Sequence, residues 1–161
     1  MIRKVNPETD APYIAAINEH YVTNTTISFA TTPLSVDEMR SHITNIAAQF
    51  PYFVYETDGK VVGYCFVHKW KDRAAYDCTL ETTIYLSPEY TGKGIAMKLM
   101  QRLIEACREQ GITALIACIT EGNEPSCSFH RKLGFKQVSS FKKVGRKFGK
   151  VLDVVDYELL L

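Results

Sequence analysis

The chain carries almost no net charge: 19 basic residues stand against 18 acidic ones, a formal +1 over 161 residues. Such a balance gives no general pull toward nucleic acid or a membrane surface, so recognition through charge has to be local. The five cysteines, at positions 65, 78, 107, 118 and 127, contain no CxxC pair. Four of them fall in apolar strand or helix patterns, where a thiol behaves as a small hydrophobe, so neither a metal site nor a disulfide scaffold is expected. No stretch approaches the ~20 apolar residues that a membrane span requires. The opening MIRKVNPETD lacks the apolar core of a secretion signal. These absences point to a cytoplasmic protein with reduced thiols. Repeats, low-complexity tracts and linkers are also missing, and with 46% apolar residues the chain is expected to form one domain, 1–161.

What is present centres on residues 76 to 110. Tyr76 to Leu86 alternates, placing Tyr76, Cys78, Leu80, Thr82, Ile84 and Leu86 on one face and Asp77, Thr79, Glu81, Thr83 and Tyr85 on the other. Ser87-Pro88 stops this strand. Thr91-Gly92-Lys93-Gly94 then leads into a helix whose apolar Ile95, Leu99, Leu103 and Ala106 recur at helical spacing, and Gly111 ends it. Read from residues alone, Glu81 is either an exposed strand glutamate beside a cation or a base lining a cleft.

Around this unit the chain reads as follows. Ile2 to Val5 is a short edge strand, and Asp10 with Pro12 opens a helix through Ile14, Ile17 and Tyr21. Val22 to Pro33 is a Thr-rich loop carrying Phe29. Ser35-Val36-Asp37-Glu38 has the spacing of a capping box ahead of a second helix. Tyr52 to Thr57 and Lys60 to Lys69 form a hairpin about Asp58-Gly59, and Trp70 to Ala75 is a charged loop with Lys71, Asp72 and Arg73. Ala114 to Ile119 is a short apolar run expected to be covered on both faces. Ser126 to Leu133 is a short helix ended by Gly134, and Phe135 to Val144 folds against Val151 to Leu160 through Gly145 and Gly149. The basic cluster Lys142, Lys143, Arg146, Lys147 and Lys150 then lies on a hairpin that is either solvated or in contact with phosphates or a carboxylate. The expected fold is a mixed α/β sheet, mostly antiparallel with one parallel pair from a βαβ unit, flanked by about four helices.

A strand, a Gly-rich turn and a helix N-terminus together can bind an anion, because backbone N–H groups and the helix dipole converge there. The P-loop pattern fails, since Gly92 and Gly94 are too close and Lys93 is followed by glycine. The GxGxxG fingerprint fails at Met97. A turn with no ligand stays open on this evidence.

Thr91-Gly92-Lys93-Gly94-Ile95-Ala96, after the strand ending Ile84-Tyr85-Leu86, resembles the pyrophosphate-binding Q/R-x-x-G-x-G/A motif of the GNAT superfamily of acetyl-CoA-dependent N-acetyltransferases. Asn123-Glu124-Pro125-Ser126 and Phe129-His130-Arg131-Lys132-Leu133-Gly134-Phe135 resemble that family's N-x-x-S/A and φ-H/Y-x-x-L-G-F segments. Ala75 to Pro88, Gly145 to Gly149 and Leu152-Asp153 are similar to stretches of its phosphinothricin and methionine sulfoximine branch. Thr91 departs from the motif's Gln or Arg and removes a long donor.

The resemblance implies acetyl-CoA as co-substrate, no metal, and direct acetyl transfer to the α-amine of a small amino acid or analogue. Glu81 would draw the proton from the ammonium, and His130 would act as base beside it or as acid toward the thiolate. The Leu86 N–H would stabilise the oxyanion, and the backbone of Ile84, Tyr85 and Leu86 would pair with the pantetheine. Thr91, Gly92, Lys93, Gly94, Ile95 and Ala96 would hold the pyrophosphate, and Asn123 would reach the pantetheine. Lys71 and Arg73, with Asp72 between them, are either solvated loop cations or the grip on a substrate carboxylate, with Phe29, Tyr76 and the Lys147-Phe148 turn as further wall. A Cys127–His130 nucleophile is set aside because the family transfers acetyl directly. A homodimer is implied, its second subunit completing the pocket. Other amines, or a sensor that binds acyl-CoA without turnover, are the alternatives.

Overall fold

The computed structural model describes residues 1–161. Its first strand, β1 (Ile2–Lys4), leads into helix α1 (Pro7–Asn24). The helix begins earlier than Asp10 because Asn6 caps it, accepting the Glu8 amide at 3.0 Å, and Pro7 occupies the first turn, where no N–H is needed. Pro12 therefore lies inside the helix. Asp10, buried, instead takes a two-pronged bond from Arg3 at 2.8 and 2.9 Å and ties β1 to α1. Helix α2 (Val36–Ala47) has the capping box read from the sequence: Ser35 Oγ accepts the Glu38 amide at 3.1 Å, and Glu38 accepts the Ser35 amide at 2.8 Å.

Strands β2 (Tyr52–Thr57) and β3 (Lys60–Lys69) turn about Asp58 and Gly59, both at positive φ. Strand β4 spans Thr79–Leu86, starting three residues later than the alternation suggests; Ala74–Tyr76 instead forms a single 3-10 turn, so Tyr76 and Cys78 lie outside the strand. Helix α3 (Ile95–Glu109) leads to β5 (Ala114–Thr120) and helix α4 (Glu124–Lys132). Helix α4 starts two residues before Ser126 because Asn123 caps it. The closing hairpin joins β6 (Lys136–Lys147) to β7 (Lys150–Leu160) through Phe148 and Gly149 at φ 52° and 71°. Gly145 is thus a strand residue and not part of the turn.

The seven strands form one sheet in the order β1-β2-β3-β4-β5-β7-β6. All neighbours are antiparallel except β4 and β5, which pair in parallel over three rungs, the last being Glu81 with Ile116. Beyond that rung they part, with only Thr82 Oγ1 donating back to the Ile116 carbonyl at 3.4 Å. Alternation divides the core between the two faces of the sheet. Leu80, Leu86, Leu99, Leu103, Leu115 and Phe135 belong to one cluster. Ile14, Met39, Ile43, Tyr52, Tyr64 and Phe66 belong to the other, under α1 and α2. The two sides of β4 therefore serve different purposes: Leu80 and Leu86 anchor it in the first cluster, which leaves Glu81, Thr83 and Tyr85 facing the α1 and α2 side.

Candidate active site

The parting of β4 and β5 opens a cleft of about 240 Å³, lined by Glu81 to Tyr85 on one side, Ala117 to Thr120 on the other, and the loop residues Ile27, Ser28 and Phe29 above. Strand pairing decides which backbone groups reach it. The Ser87 amide donates to the Val62 carbonyl at 2.8 Å, so Ser87 with Val62 and Tyr85 with Tyr64 are hydrogen-bonded rungs of the antiparallel ladder. Ile84 and Leu86 alternate with them and turn their N–H and C=O groups away from β3 toward the gap. Tyr85, expected to share this role, has its backbone bound to Tyr64 and contributes its ring instead. The Leu86 carbonyl accepts the hydroxyl of Tyr21 at 2.7 Å. No local sequence signal marks Tyr21 for this contact, since it lies 65 residues from Leu86.

Glu81 sits at the last parallel rung, half-buried, with His68 Nε2 at 3.9 Å across the β3–β4 pair. Burial pushes its carboxyl above the usual carboxylate range; His68 opposes this and Asp156 adds to it. His130 projects from α4 into the same cleft and is 4% exposed. Its Nδ1 lies 2.8 Å from the Ser126 carbonyl, an acceptor only, so Nδ1 carries the proton and Nε2 is left unprotonated in the neutral ring. Phe129 and Phe135 meet the imidazole edge-on, and burial lowers its pKa, against a smaller opposing effect of the Ser126 bond. The packed, hydrogen-bonded state and a proton-accepting nitrogen thus coexist in one residue.

The cleft's thiol is Cys118, placed there because β5 is covered on both faces except at this position. Its side chain reaches the cleft surface, yet the protein around the sulfur desolvates it and, with Asp156 and Glu81 near, pushes the thiol up to about 12. A thiol held protonated is a poor nucleophile. Cys127 is buried in the first core cluster and lies outside the cleft lining.

At the open end of the gap, Gly92 and Gly94 both have positive φ, 73° and 77°, and Gly94 precedes α3 in a left-handed conformation. The consequence is a run of amides, from residue 92 to 97, none of which donates to a backbone acceptor of this chain. Thr91 supplies no long donor: its hydroxyl turns back to the Pro88 carbonyl at 2.8 Å. Lys93 lies over the Tyr90 ring, 4.8 Å from its centroid. Asn123 lines the cleft while its Oδ1 accepts the Ser126 amide at 3.4 Å.

Other expected residues are elsewhere. Lys71, Asp72, Arg73 and Tyr76 line a separate shallow hollow with Trp70, where Lys71 Nζ sits 4.3 Å from the indole centroid. They do not line the cleft within this chain. Phe29 does, its ring lying against Gly145, where a Cβ would come within 2.4 Å of it. The loop that carries Phe29 is fastened twice, by Thr120 Oγ1 on the Thr26 carbonyl at 2.8 Å and by Lys147 Nζ on the Ser28 carbonyl at 2.7 Å. Lys147, expected to be solvated or in contact with an anion, is 4% exposed. Lys142 does face solvent, paired with Glu121 and Asp153.

A sheet splayed beside a half-buried carboxylate, with free strand amides leading to an amide-lined helix N-terminus, is the arrangement that the sequence resemblance implies. The chain belongs to the acetyltransferase (GNAT) family, whose model matches residues 14–135. It is 37% identical over 154 residues to a phosphinothricin N-acetyltransferase of Alcaligenes faecalis, covering 94% of this chain and 78% of that one. An L-methionine sulfoximine/L-methionine sulfone acetyltransferase of Pseudomonas aeruginosa is 34% identical, with 94% and 90% covered. Among solved structures, a GNAT superfamily phosphinothricin acetyltransferase from Sinorhizobium meliloti, in complex with AcCoA, superposes with a TM-score of 0.95 at 32% identity, over 100% of this chain and 88% of that one. The chain is thus an acetyltransferase of mixed α/β fold. No helix is long and apolar enough to cross a membrane.

Proposed function

We propose that the protein, as one domain over residues 1–161, transfers acetyl from acetyl-CoA directly to the α-amine of a small amino acid or analogue of the phosphinothricin or methionine sulfoximine type. The observation that carries this reading is Glu81, desolvated at the point where β4 and β5 part. A carboxylate whose pKa is raised toward neutrality is a better base for an ammonium than an exposed one. The names of the relatives above supply the acceptor class, and the neighbour solved with AcCoA supplies the donor.

The residues divide the work as follows. The amides of Gly92, Lys93, Gly94, Ile95 and Ala96 meet the pyrophosphate at the positive end of α3. Ile84 and Leu86 present the backbone edge along which the pantetheine pairs as an added strand, and Asn123 approaches it from the opposite wall. Glu81 takes the ammonium proton, directly or through water. The freed amine attacks the thioester carbonyl and the Leu86 N–H receives the oxyanion charge; the C–S bond then breaks, and the proton that the nitrogen sheds as the amide forms passes to the departing thiolate. His130, held neutral with Nε2 unprotonated, serves as a second base beside Glu81. The raised pKa of Cys118 and the core position of Cys127 favour direct transfer over an acetyl-cysteine intermediate.

Lys71, Arg73 and Tyr76 suit an acceptor carboxylate, and their distance from the cleft of their own chain is met if a homodimer brings the partner's loop to it. The exposed apolar residues Val138, Phe141, Val144 and Val151 of the last hairpin offer a surface for that contact. Five free cysteines, three of them buried, fit a cytoplasmic setting.

The test is thiol release from acetyl-CoA over a panel of amino acids, methionine sulfoximine, phosphinothricin, polyamines, aminoglycosides and peptides with free N-termini, with the mass in solution measured alongside. Release with amino-acid acceptors is expected. Release only with polyamines, aminoglycosides or peptides overturns the acceptor class, and cofactor binding with no turnover on any amine makes the protein a sensor.

A further inference from the structure

Acetyl transfer from a thioester to an ammonium yields an amide, a thiol and one proton, so the proton that Glu81 takes has to leave before the next turnover. With cofactor and acceptor in place the cleft side of Glu81 is covered, and the route out runs through what stands behind it. That residue is His68. Strand β3 sets it directly opposite Glu81 on the same face of the sheet, and it is not among the residues that line the cleft. Its Nδ1 lies 2.9 Å from the Lys69 carbonyl, an acceptor only, so Nδ1 carries a proton and Nε2 of the neutral ring keeps its lone pair. Nε2 is the atom that faces Glu81, 3.9 Å from Oε1. This exceeds a hydrogen bond by less than about 1 Å, a gap that a side-chain rotation closes. The His68 side chain is 34% exposed and so reaches solvent, which the buried His130 does not. The other neighbours of Glu81 offer no such exit. Cys118 of β5 already holds its proton, and Asp156 of β7 accepts the Ser139 hydroxyl at 2.9 Å. Glu158 follows on β7, opposite Ile116 in register. From α2, His42 meets the same Phe66 ring as His68, and burial, then His68, holds it toward its neutral form. Lys69 is paired with Asp77 at 3.2 Å.

We propose that His68 carries the proton of Glu81 out of the cleft to solvent. The proposal rests on Glu81 as the base and adds its exit route. An N–H bond of the ammonium breaks as an O–H bond forms on Glu81. That O–H bond breaks in turn as Nε2–H forms, and His68 becomes an imidazolium with both nitrogens protonated. Nε2 then gives its proton to water or a buffer base, and both residues return to their starting states. An imidazole suits this step because it both accepts and releases a proton readily near neutral pH. His68 touches neither acceptor nor cofactor and acts only through Glu81.

The experiment measures kcat and KM by thiol release in dilute buffer near neutral pH, with the amino acid that the wild type acetylates best. It compares wild type with His68→Ala, His68→Gln, Glu81→Gln and the double variant of Glu81→Gln with His68→Ala. In both His68 variants kcat is expected to fall about tenfold with KM for either substrate little changed, short of the roughly 10²-fold for loss of a base, because Glu81 remains. Added imidazole is expected to restore kcat of His68→Ala severalfold, which it would not do for a structural defect. It leaves Glu81→Gln and the double variant as they were, and the double variant is no slower than Glu81→Gln alone. A His68→Gln protein with wild-type kcat overturns the proposal, since Gln keeps the size and a polar end but carries no proton. A His68→Ala loss that imidazole does not restore overturns it as well. Where Glu81→Gln keeps full turnover, the base assignment falls and the relay with it; where Glu81→Gln loses turnover and the His68 variants do not, the relay alone falls.

Discussion

Replacing Glu81 by Gln keeps the size of the side chain and removes its capacity to take a proton, and two opposite consequences follow from the same burial. General-base catalysis is worth about 10²- to 10⁴-fold, so kcat/KM for an amino-acid acceptor falls by that factor, about 3 to 5.5 kcal/mol of transition-state stabilisation. The acid limb of the wild-type pH profile, which reports the raised Glu81 carboxyl, disappears with it. Stability moves the other way. The folded pKa of Glu81 lies above its unfolded value near 4.5, so the native state holds its proton more tightly and wild-type stability falls as pH rises from the unfolded value through the folded one. Each pH unit of that elevation is about 1.4 kcal/mol, and in a chain of this length about 3 to 6 °C in Tm. At pH 8 Glu81→Gln therefore melts at a higher temperature than wild type, while at pH 4 the two converge. Thiol release across pH and thermal melts at both pH values make the comparison. Undiminished turnover with the acid limb in place refutes the base assignment, and an unchanged or lower Tm at pH 8 refutes the burial argument beneath it.

Three further perturbations test other parts of the molecule. Gly94→Ala places a side chain at φ 77°, so it costs about 1 to 2 kcal/mol in denaturant melts and raises KM for acetyl-CoA severalfold, with a smaller effect on KM for the amine. Gly145→Ala puts a Cβ 2.4 Å from the Phe29 ring, which has to swing; KM for the amine is expected to rise more than KM for acetyl-CoA, while Tm changes little because a loop side chain absorbs the clash. Asp10→Asn breaks the paired bonds from Arg3 at a residue 1% exposed, costing about 3 kcal/mol at pH 7 in urea unfolding. Burial raises the Asp10 carboxyl but the Arg3 and Asn6 bonds outweigh it, leaving the folded pKa low. The wild-type advantage is thus present above the unfolded value near 3.8 and vanishes as pH falls through the lowered one.

The capping box at Ser35 and the hairpin at Asp58-Gly59 were legible because each is closed by bonds within a few residues. The alternation of β4 was readable, but its start was not: Tyr76 and Cys78 obey the period and yet belong to a turn, since period alone does not say where a pairing partner begins. Cys118 sits in an apolar run and still opens into the cleft, because β5 loses its β4 neighbour after Ile116. Lys147 reads as one charge in a basic cluster and is buried, because the Ser28 carbonyl lies 119 residues away in the chain. Tyr21 has no motif around it and enters the argument only through the Leu86 carbonyl that accepts its hydroxyl.

The sequence by itself determined the order of strands and helices, the left-handed glycines that free the amides of residues 92 to 97, and the chemical identities of Glu81 and His130. Those are local properties, set by backbone permissiveness, periodicity and side-chain type. The tertiary structure decided which of these groups share a cleft, that Ile84 and Leu86 and not Tyr85 offer their backbone to it, and that Lys71 to Arg73 lie apart from it in a single chain. The reason is physical: ladder register, the parting of β4 from β5, and the desolvation that shifts Glu81 and His130 arise only when segments distant in sequence pack together.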